Sequence, residues 1–199
     1  MRQGADRSPF KDRGDDLYQT PACATQALIR TGELDNLRDG LIWEPAAGRG
    51  AIVRELLNFG FRVLPQDLVA YDNQDPPYPD VGYDFLLERS APASVAAIVT
   101  NPPYKLADQF IRHGLSLGLP VIVLLRLMAI EGANRSDLID KHLVRVWAGI
   151  ERLPFMHREG WSGTKHSNSG APFAWFCFSP EPRGDRPIEL RRMSWRSSL

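Results

Sequence analysis

Cysteine is nearly absent from this 199-residue chain: Cys23 and Cys177 are the two it has, and they stand far apart. That excludes a disulfide framework and offers no metal-ligand spacing, so no metal site is expected. Thiols without partners persist in a reducing compartment, which makes the cytoplasm the expected location. Long apolar runs are missing too. Val121 to Leu125, for one, stops at Arg126 and is far too short to span a bilayer, and no apolar stretch opens the chain. Net charge is zero, with 24 Lys and Arg against 24 Asp and Glu. Two phosphate-binding signatures are incomplete as well. Gly48 and Gly50 have no third glycine near Val53, as a dinucleotide fold would require, and no Lys-Ser or Lys-Thr follows them as in a P-loop.

What remains is a globular composition, 43% apolar, at a length that gives one domain a sizeable core. The apolar run Leu41-Ile-Trp-Glu44 reads as a strand. It enters a turn of small residues, Pro45-Ala-Ala-Gly48-Arg-Gly50, and Ile52, Val53, Leu56 and Leu57 then repeat at helical spacing. Gly48 and Gly50 allow the backbone to pass close to a ligand at that helix start. Glu44 at the strand end would repel a pyrophosphate but suits a cation or an amino group. A second strand, Val95 to Thr100, is stopped by Asn101-Pro102-Pro103-Tyr104. Proline lacks the N–H that a central strand needs, so two in succession fix a stiff turn at the strand's carboxyl end. In open α/β sheets ligands bind along that edge. Asn101 offers a side-chain carbonyl there, the turn offers backbone carbonyls, and Tyr104 offers a flat face. This set suits a planar amine.

Strands alternate with helices along the first two thirds. Helices are expected over Ala22 to Leu37 and Leu106 to Leu117, and strands over residues 61–67, Val121 to Leu127 and Leu143 to Ile150. This alternation predicts right-handed parallel crossovers and a doubly wound α/β sheet. Asp72 to Gly82 holds Pro76, Pro77 and Pro79 and is expected as an irregular surface loop. Residues 1–16 read as a flexible polar arm, residues 17–180 as a single domain, and residues 181–199 as a basic tail. Gly160 to Gly170 has the composition of a mobile loop, and Ala174 to Phe178 that of an aromatic strand. Charge is unevenly placed. Residues 1–140 hold 14 Lys and Arg against 19 Asp and Glu, while residues 141–199 hold 10 against 5. The basic end suits a polyanion, and equally a solvated surface. Arg183 to Arg196 contains five arginines that could grip phosphates.

Glu-Pro-Ala-Ala-Gly-Arg-Gly followed about 50 residues later by Asn-Pro-Pro-Tyr resembles the S-adenosylmethionine-dependent amino-methyltransferases. Within them it is similar to the small N6-adenine DNA methyltransferases of phages and prophages. The resemblance covers residues 17 to 128, with a weaker echo in the aromatic C-terminal segment. It implies a mostly parallel Rossmann-like methyltransferase sheet completed by an antiparallel hairpin, and S-adenosylmethionine as cofactor. Glu44, Pro45, Ala46, Gly48 and Gly50 then belong to the cofactor site. Tyr18 and Thr20, in Tyr-Gln-Thr-Pro, match the segment that closes over the methionine end. Thr20 also reads as a plain helix cap ahead of Pro21. Asp67 matches the acid that grips ribose hydroxyls, with Asp72 and Asp75 as competitors. Asp84 would accept from the cofactor's adenine, with Phe85 packing on that ring or serving as an ordinary core aromatic.

Asn101, Pro102 and Tyr104 are implied as the catalytic residues. Carbonyls of Asn101 and Pro102 would draw the two amino hydrogens out of the ring plane, and Tyr104 would stack on a base rotated out of the duplex. Pro103 and the hairpin-loop residues His157, Arg158, Trp161, Lys165 and His166 are the candidates facing a polynucleotide, DNA being the expected partner. The chain departs from many relatives in having no room for a separate target-recognition domain. Specificity is then low, read by the 150–170 loop and tail, or borrowed from a second subunit such as a homodimer partner. The same turn would serve an RNA adenine or a protein glutamine. A non-catalytic cofactor-binding scaffold has no need of the acceptor turn. A nicotinamide-dependent dehydrogenase conflicts with the missing glycine and with Glu44.

Overall fold

The computed structural model describes residues 18–71, 79–154 and 170–196. The proposed arm at 1–16, Asp72, Asp75, and the loop residues His157, Arg158, Trp161, Lys165 and His166 lie outside the described residues. The chain builds an α/β sheet of eight strands: β1 (Leu41–Glu44), β2 (Arg62–Asp67), β3 (Asp80–Val81), β4 (Val95–Thr100), β5 (Val121–Arg126), β6 (Leu143–Gly149), β7 (Phe173–Phe178) and β8 (Glu189–Met193). Their order across the sheet is β3-β2-β1-β4-β5-β7-β6-β8. Neighbours from β3 to β5 pair in parallel. Strand β7 runs antiparallel to both β5 and β6, and β8 pairs in parallel with β6. The doubly wound, mostly parallel sheet with an antiparallel β6–β7 pair is therefore present.

Strand periodicity of two sorts the side chains onto two faces. On β4, β5 and β7, the residues Ala97, Val99, Ile122, Leu124, Phe173, Trp175 and Cys177 turn one way. They meet α1 (Ala22–Arg30) and α2 (Ala51–Asn58) through Ala24, Leu28, Ile52 and Leu56. The alternate residues Ile98, Val121, Val123, Ala174, Phe176 and Phe178 turn the other way. They meet α3 (Ala107–Ser116) and α4 (Ser136–His142) through Phe110, Ile111, Leu138 and Ile139. Because both faces are covered, the central strands read as continuous apolar runs. Helix α3 lies flush on the sheet at Gly114. A Cβ there would fall 2.7 Å from Val121 Cγ2 and 2.8 Å from Ile98 Cδ1.

Three expectations are corrected. The first helix ends at Arg30 rather than Leu37. The Thr31 hydroxyl donates back to the Leu28 carbonyl, and Gly32 turns left-handed at φ 75°. Residues 35–37 then form a separate 3₁₀ turn. Within the segment expected to be irregular, Asp80 and Val81 form β3 directly after Pro79, where backbone N–H donors resume. The segment expected as a basic tail contributes β8, and Trp195 beyond it is buried. The Trp195 indole lies against the bare Cα of Gly149 and donates to the Glu151 carbonyl at 2.9 Å. Among the described residues, no helix is long and apolar enough to cross a membrane.

Candidate active site

In this strand order the chain winds outward from β1 in one direction and from β4 in the other. A crevice opens between their carboxyl ends, the usual ligand position in such a sheet. A cavity of about 250 Å³ occupies it. Its floor is made by strand ends: Glu44 from β1, Asp67 from β2, and Asn101 immediately after β4.

The turn after β1 is held in a ligand-ready shape. Gly48 and Gly50 adopt φ of 54° and 79°, a conformation glycine reaches without strain. Gly50 begins α2 and does not line the cavity, whereas Pro45, Ala46 and Gly48 do. Asp67 fixes the turn from the neighbouring strand: its Oδ2 accepts from Gly48 N at 2.7 Å and its Oδ1 from Val69 N at 2.9 Å. Both oxygens are thus already engaged by backbone. Trp43 Nε1 donates to Gln66 Oε1 at 2.8 Å and locks β1 to β2 just beneath the site.

At the far end of the cavity Asp84 caps the short turn Phe85–Leu87, accepting from Leu86 N at 3.0 Å. Phe85 is a core aromatic that also reaches the cavity wall. It lines the cavity and is 3% exposed, packed edge-on against Trp43 at 5.1 Å and tilted against Phe110 at 4.9 Å. Tyr71, Tyr83, Leu68 and Phe110 also line this end. The sequence reading gave none of them a site role. Tyr71 and Phe110 carry no local signature; their place depends on the return of β2 and the packing of α3.

At the near end the residues Tyr18 and Thr20 close the cavity. Thr20 does not cap α1: the N-cap is Pro21, which has no side-chain donor or acceptor for the task. Instead Thr20 Oγ1 accepts from Asn101 Nδ2 at 3.1 Å, and the Tyr18 carbonyl accepts from the same nitrogen at 3.3 Å. These bonds reach across more than 80 residues and turn the amide nitrogen of Asn101 toward the N-terminal segment.

The turn after β4 divides two spaces. Asn101 and Pro103 line the cavity, while Tyr104 lines a broad open groove of about 810 Å³. Pro103, expected on the acceptor side, therefore lies on the cavity side, and its carbonyl accepts from Leu106 N at 2.9 Å. Pro102 is buried behind the turn. The groove is lined by Asp108, Arg126, Met128, Glu131 and Arg135 among others. Arg135 pairs with Asp108 at 3.0 Å. The Tyr104 ring packs on Tyr18 at 5.1 Å between centroids, and the Arg126 guanidinium lies 5.4 Å over it.

Glu44 is the electrostatic anomaly of the site. Its side chain is fully buried. One oxygen accepts from Ala46 N at 3.3 Å, and the other has no hydrogen-bond partner among the described residues. Burial pushes its pKa from 4.5 up to about 8. The adjacent Thr100 hydroxyl and Ala46 N–H pull it back in part, and the negative charge of Asp67 adds to the rise. Thr100 Oγ1 does not reach hydrogen-bond geometry and is likewise without a partner among the described residues. A carboxyl left in that state calls for a donor or a cation from a ligand.

Comparison of the sequence with protein-family models and with curated proteins returns no match. Solved structures do match. A Listeria monocytogenes protein provisionally named a class I S-adenosylmethionine-dependent methyltransferase superposes with a TM-score of 0.55 at 12% identity, over 88% of this chain and 66% of its own. The fold is that of the class I methyltransferases. A Pyrococcus horikoshii protein provisionally named an RNA methyltransferase gives 0.59 at 14% identity, over 82% of this chain and 86% of its own. The modification subunit of a provisionally assigned type I restriction enzyme from Vibrio vulnificus gives 0.51 at 12% identity, over 85% and 46%. The chain spans just under two thirds of the Listeria protein and less than half of the Vibrio subunit.

Proposed function

We propose that this chain transfers a methyl group from S-adenosylmethionine to the exocyclic N6 amine of adenine in DNA. The observation that carries the reading is the Asn101–Tyr104 turn, one side of which walls the crevice cavity while the other faces a broader, more open groove. A transferase needs that arrangement, with donor and acceptor meeting across one rigid corner.

The residues fit the cofactor, because the cavity holds a buried carboxyl, Glu44, with an oxygen that has no hydrogen-bond partner among the described residues. When bound, S-adenosylmethionine supplies a methyl group activated on a positively charged sulfur. Asp67 would hold its ribose hydroxyls, and Asp84 with Phe85 its adenine. Tyr18 and Thr20 close over the amino-acid end. Thr20 accepts from Asn101, which leaves its own hydroxyl hydrogen to be donated to a ligand carboxylate.

Asn101 is the central catalytic group. Its amide nitrogen is occupied by Thr20 and Tyr18, so its carbonyl is the end left to face an incoming amine. That carbonyl and the Pro102 backbone carbonyl accept the two amino hydrogens and make the nitrogen more pyramidal. The lone pair then points at the methyl group. As the N–C bond would form and the sulfur–methyl bond break, leaving its electron pair on a neutral thioether, the two carbonyls would stabilise the positive charge on nitrogen, and its extra proton would leave to solvent. No side chain has to act as a base first. Tyr104 stacks on the acceptor ring and holds it in line.

The test incubates the protein with labelled cofactor and, in parallel, DNA, RNA and a protein mixture, followed by mass spectrometry of the modified residue. Label on adenine N6 of DNA is expected. Label on RNA or on a glutamine amide would move the acceptor and leave the chemistry intact. Asn101→Ala should lower turnover by about 10²–10³-fold with cofactor affinity nearly unchanged. Normal DNA methylation by that variant overturns the mechanism.

A further inference from the structure

The buried carboxyl of Glu44 has a use beyond holding a ligand in place. It is the terminal residue of β1, with β2 on one side and β4 on the other. The nucleoside end of the cavity is built by Asp67, Asp84 and Phe85, and the transfer end by Thr20 and Asn101. Glu44 therefore lies in the floor between the two ends. A ligand spanning them passes its middle over this carboxyl, and in S-adenosylmethionine the middle carries the fixed positive charge. Among the described residues, Arg49 is the one cation that lines the cavity, and it is not among the groups that shift Glu44. Strand β2 contributes the acidic Asp67, β4 the Thr100 hydroxyl and the neutral Asn101 amide, and the strand-end turn the Ala46 N–H. Tyr18 and Thr20 close the cavity above.

We propose that Glu44 reads the charge on the ligand: it releases its proton to solvent when a ligand with a fixed cation in mid-chain enters, and recovers a proton when that ligand departs as a neutral thioether. This inference rests on the cofactor reading above and adds to it a basis for telling donor from spent product. The two differ by one methyl group and one charge. A methyl group in an apolar pocket discriminates weakly, about 10- to 200-fold, whereas a buried carboxyl facing a cation or a thioether responds to the charge itself. In the empty cavity burial holds Glu44 protonated at neutral pH, with a pKa near 8. An adjacent cation lowers that value, so binding and proton loss are linked.

Three probes separate the possibilities: S-adenosylmethionine, S-adenosylhomocysteine, and sinefungin, which carries an amine in place of the methylated sulfur. All three share the nucleoside and amino-acid ends. Calorimetry at pH 7 in two buffers of different ionisation enthalpy counts the protons exchanged on binding. We expect release of a large fraction of a proton with the two cations, and none with the thioether. Affinity for the cations should rise toward about tenfold per pH unit between pH 6 and 8, while affinity for the thioether stays flat. Glu44→Gln should abolish both the slope and the preference. Equal proton counts for all three ligands, or an undiminished slope in Glu44→Gln, overturn the proposal. The buffer comparison on the unaltered protein decides it even if that variant does not fold. Failure of all three to bind overturns the proposed function itself.

Discussion

The two halves of the sheet treat their polar side chains in opposite ways. In the carboxyl-terminal half, β7-β6-β8, the polar side chains close on one another. Arg145 pairs with Glu33 at 2.6 Å and with Glu189 at 3.1 Å, and Trp147 Nε1 donates to Glu33 at 2.8 Å. Glu151 accepts from Ser194 at 2.5 Å and from Trp195 N at 3.3 Å. In the amino-terminal half, β2-β1-β4, Glu44 and Thr100 end without partners among the described residues, beside a cavity. A satisfied network contributes rigidity, whereas an unsatisfied one stores an affinity that a ligand can claim. The carboxyl-terminal half is satisfied on folding, whereas the amino-terminal half keeps unpartnered polar atoms beside a cavity.

The sharpest way to break this contrast is to damage the finished half and watch the other. Trp195→Ala removes an indole buried against Gly149 and should cost about 3–5 kcal/mol of stability in denaturant unfolding. The folded fraction should still bind cofactor normally. A comparable loss of cofactor affinity would show that the halves are not separable. Gly149→Ala places a methyl group into the same indole and should act in the same direction.

The next largest effect lies in the unfinished half and depends on pH. Glu44 has a folded pKa raised from 4.5 to about 8. The folded state therefore holds a proton that the unfolded chain gives up. Its contribution is intact below 4.5 and is lost as pH rises, at up to about 1.4 kcal/mol for each pH unit until the folded value is reached. Glu44→Gln should flatten that decline, so the cofactor-free variant gains on the parent protein between pH 5 and 8. Parallel stability curves for the two proteins would sink this assignment.

Thr20→Val keeps the shape and removes the acceptor for Asn101. We expect turnover to fall by about 5- to 30-fold, the equivalent of one hydrogen bond at about 1–2 kcal/mol, with the Michaelis constant for the methyl acceptor changing less than kcat. An effect on cofactor affinity alone would assign Thr20 to the ligand rather than to Asn101. Smallest of all is Arg112→Ala. Its paired contacts with Asp137, 2.8 and 2.7 Å, join α3 to α4 at the exposed surface. The Arg112 guanidinium holds Asp137 down near a pKa of 2. The support it gives is present above pH 3.8 and fades as pH falls through about 2, and salt weakens it throughout. Melting curves for Arg112→Ala and the parent should nearly coincide at neutral pH in high salt.

The contrast also explains what the sequence disclosed. Strand-to-turn signals at Glu44-Pro-Ala-Ala-Gly and Asn-Pro-Pro-Tyr are local, because glycine and proline impose backbone geometry wherever they stand. Seven of the residues that line the cavity, Glu44 to Gly48, Asn101 and Pro103, belong to these two signals. Strand β8 was hidden because Glu-Leu-Arg-Arg-Met carries three charges in five residues and exposes four of its side chains. An edge strand with one neighbour needs no apolar run, so composition read as a tail. Helix α4 was missed for a related reason: its seven residues hold a single buried pair, Leu138 and Ile139. The bond between Thr20 and Asn101 was illegible for a different reason. Two polar side chains 81 residues apart carry no pattern that could announce their meeting.

Strand β6 has a neighbour on both sides only because residues 189–193 lie alongside it. During synthesis β6 and β7 emerge first, with one backbone row of β6 still open to any other extended chain. A ribosome stalling before Glu189, or a protease clipping there, would leave that row exposed. Such a product would keep the crevice between β1 and β4 and yet gather into oligomers through main-chain pairing.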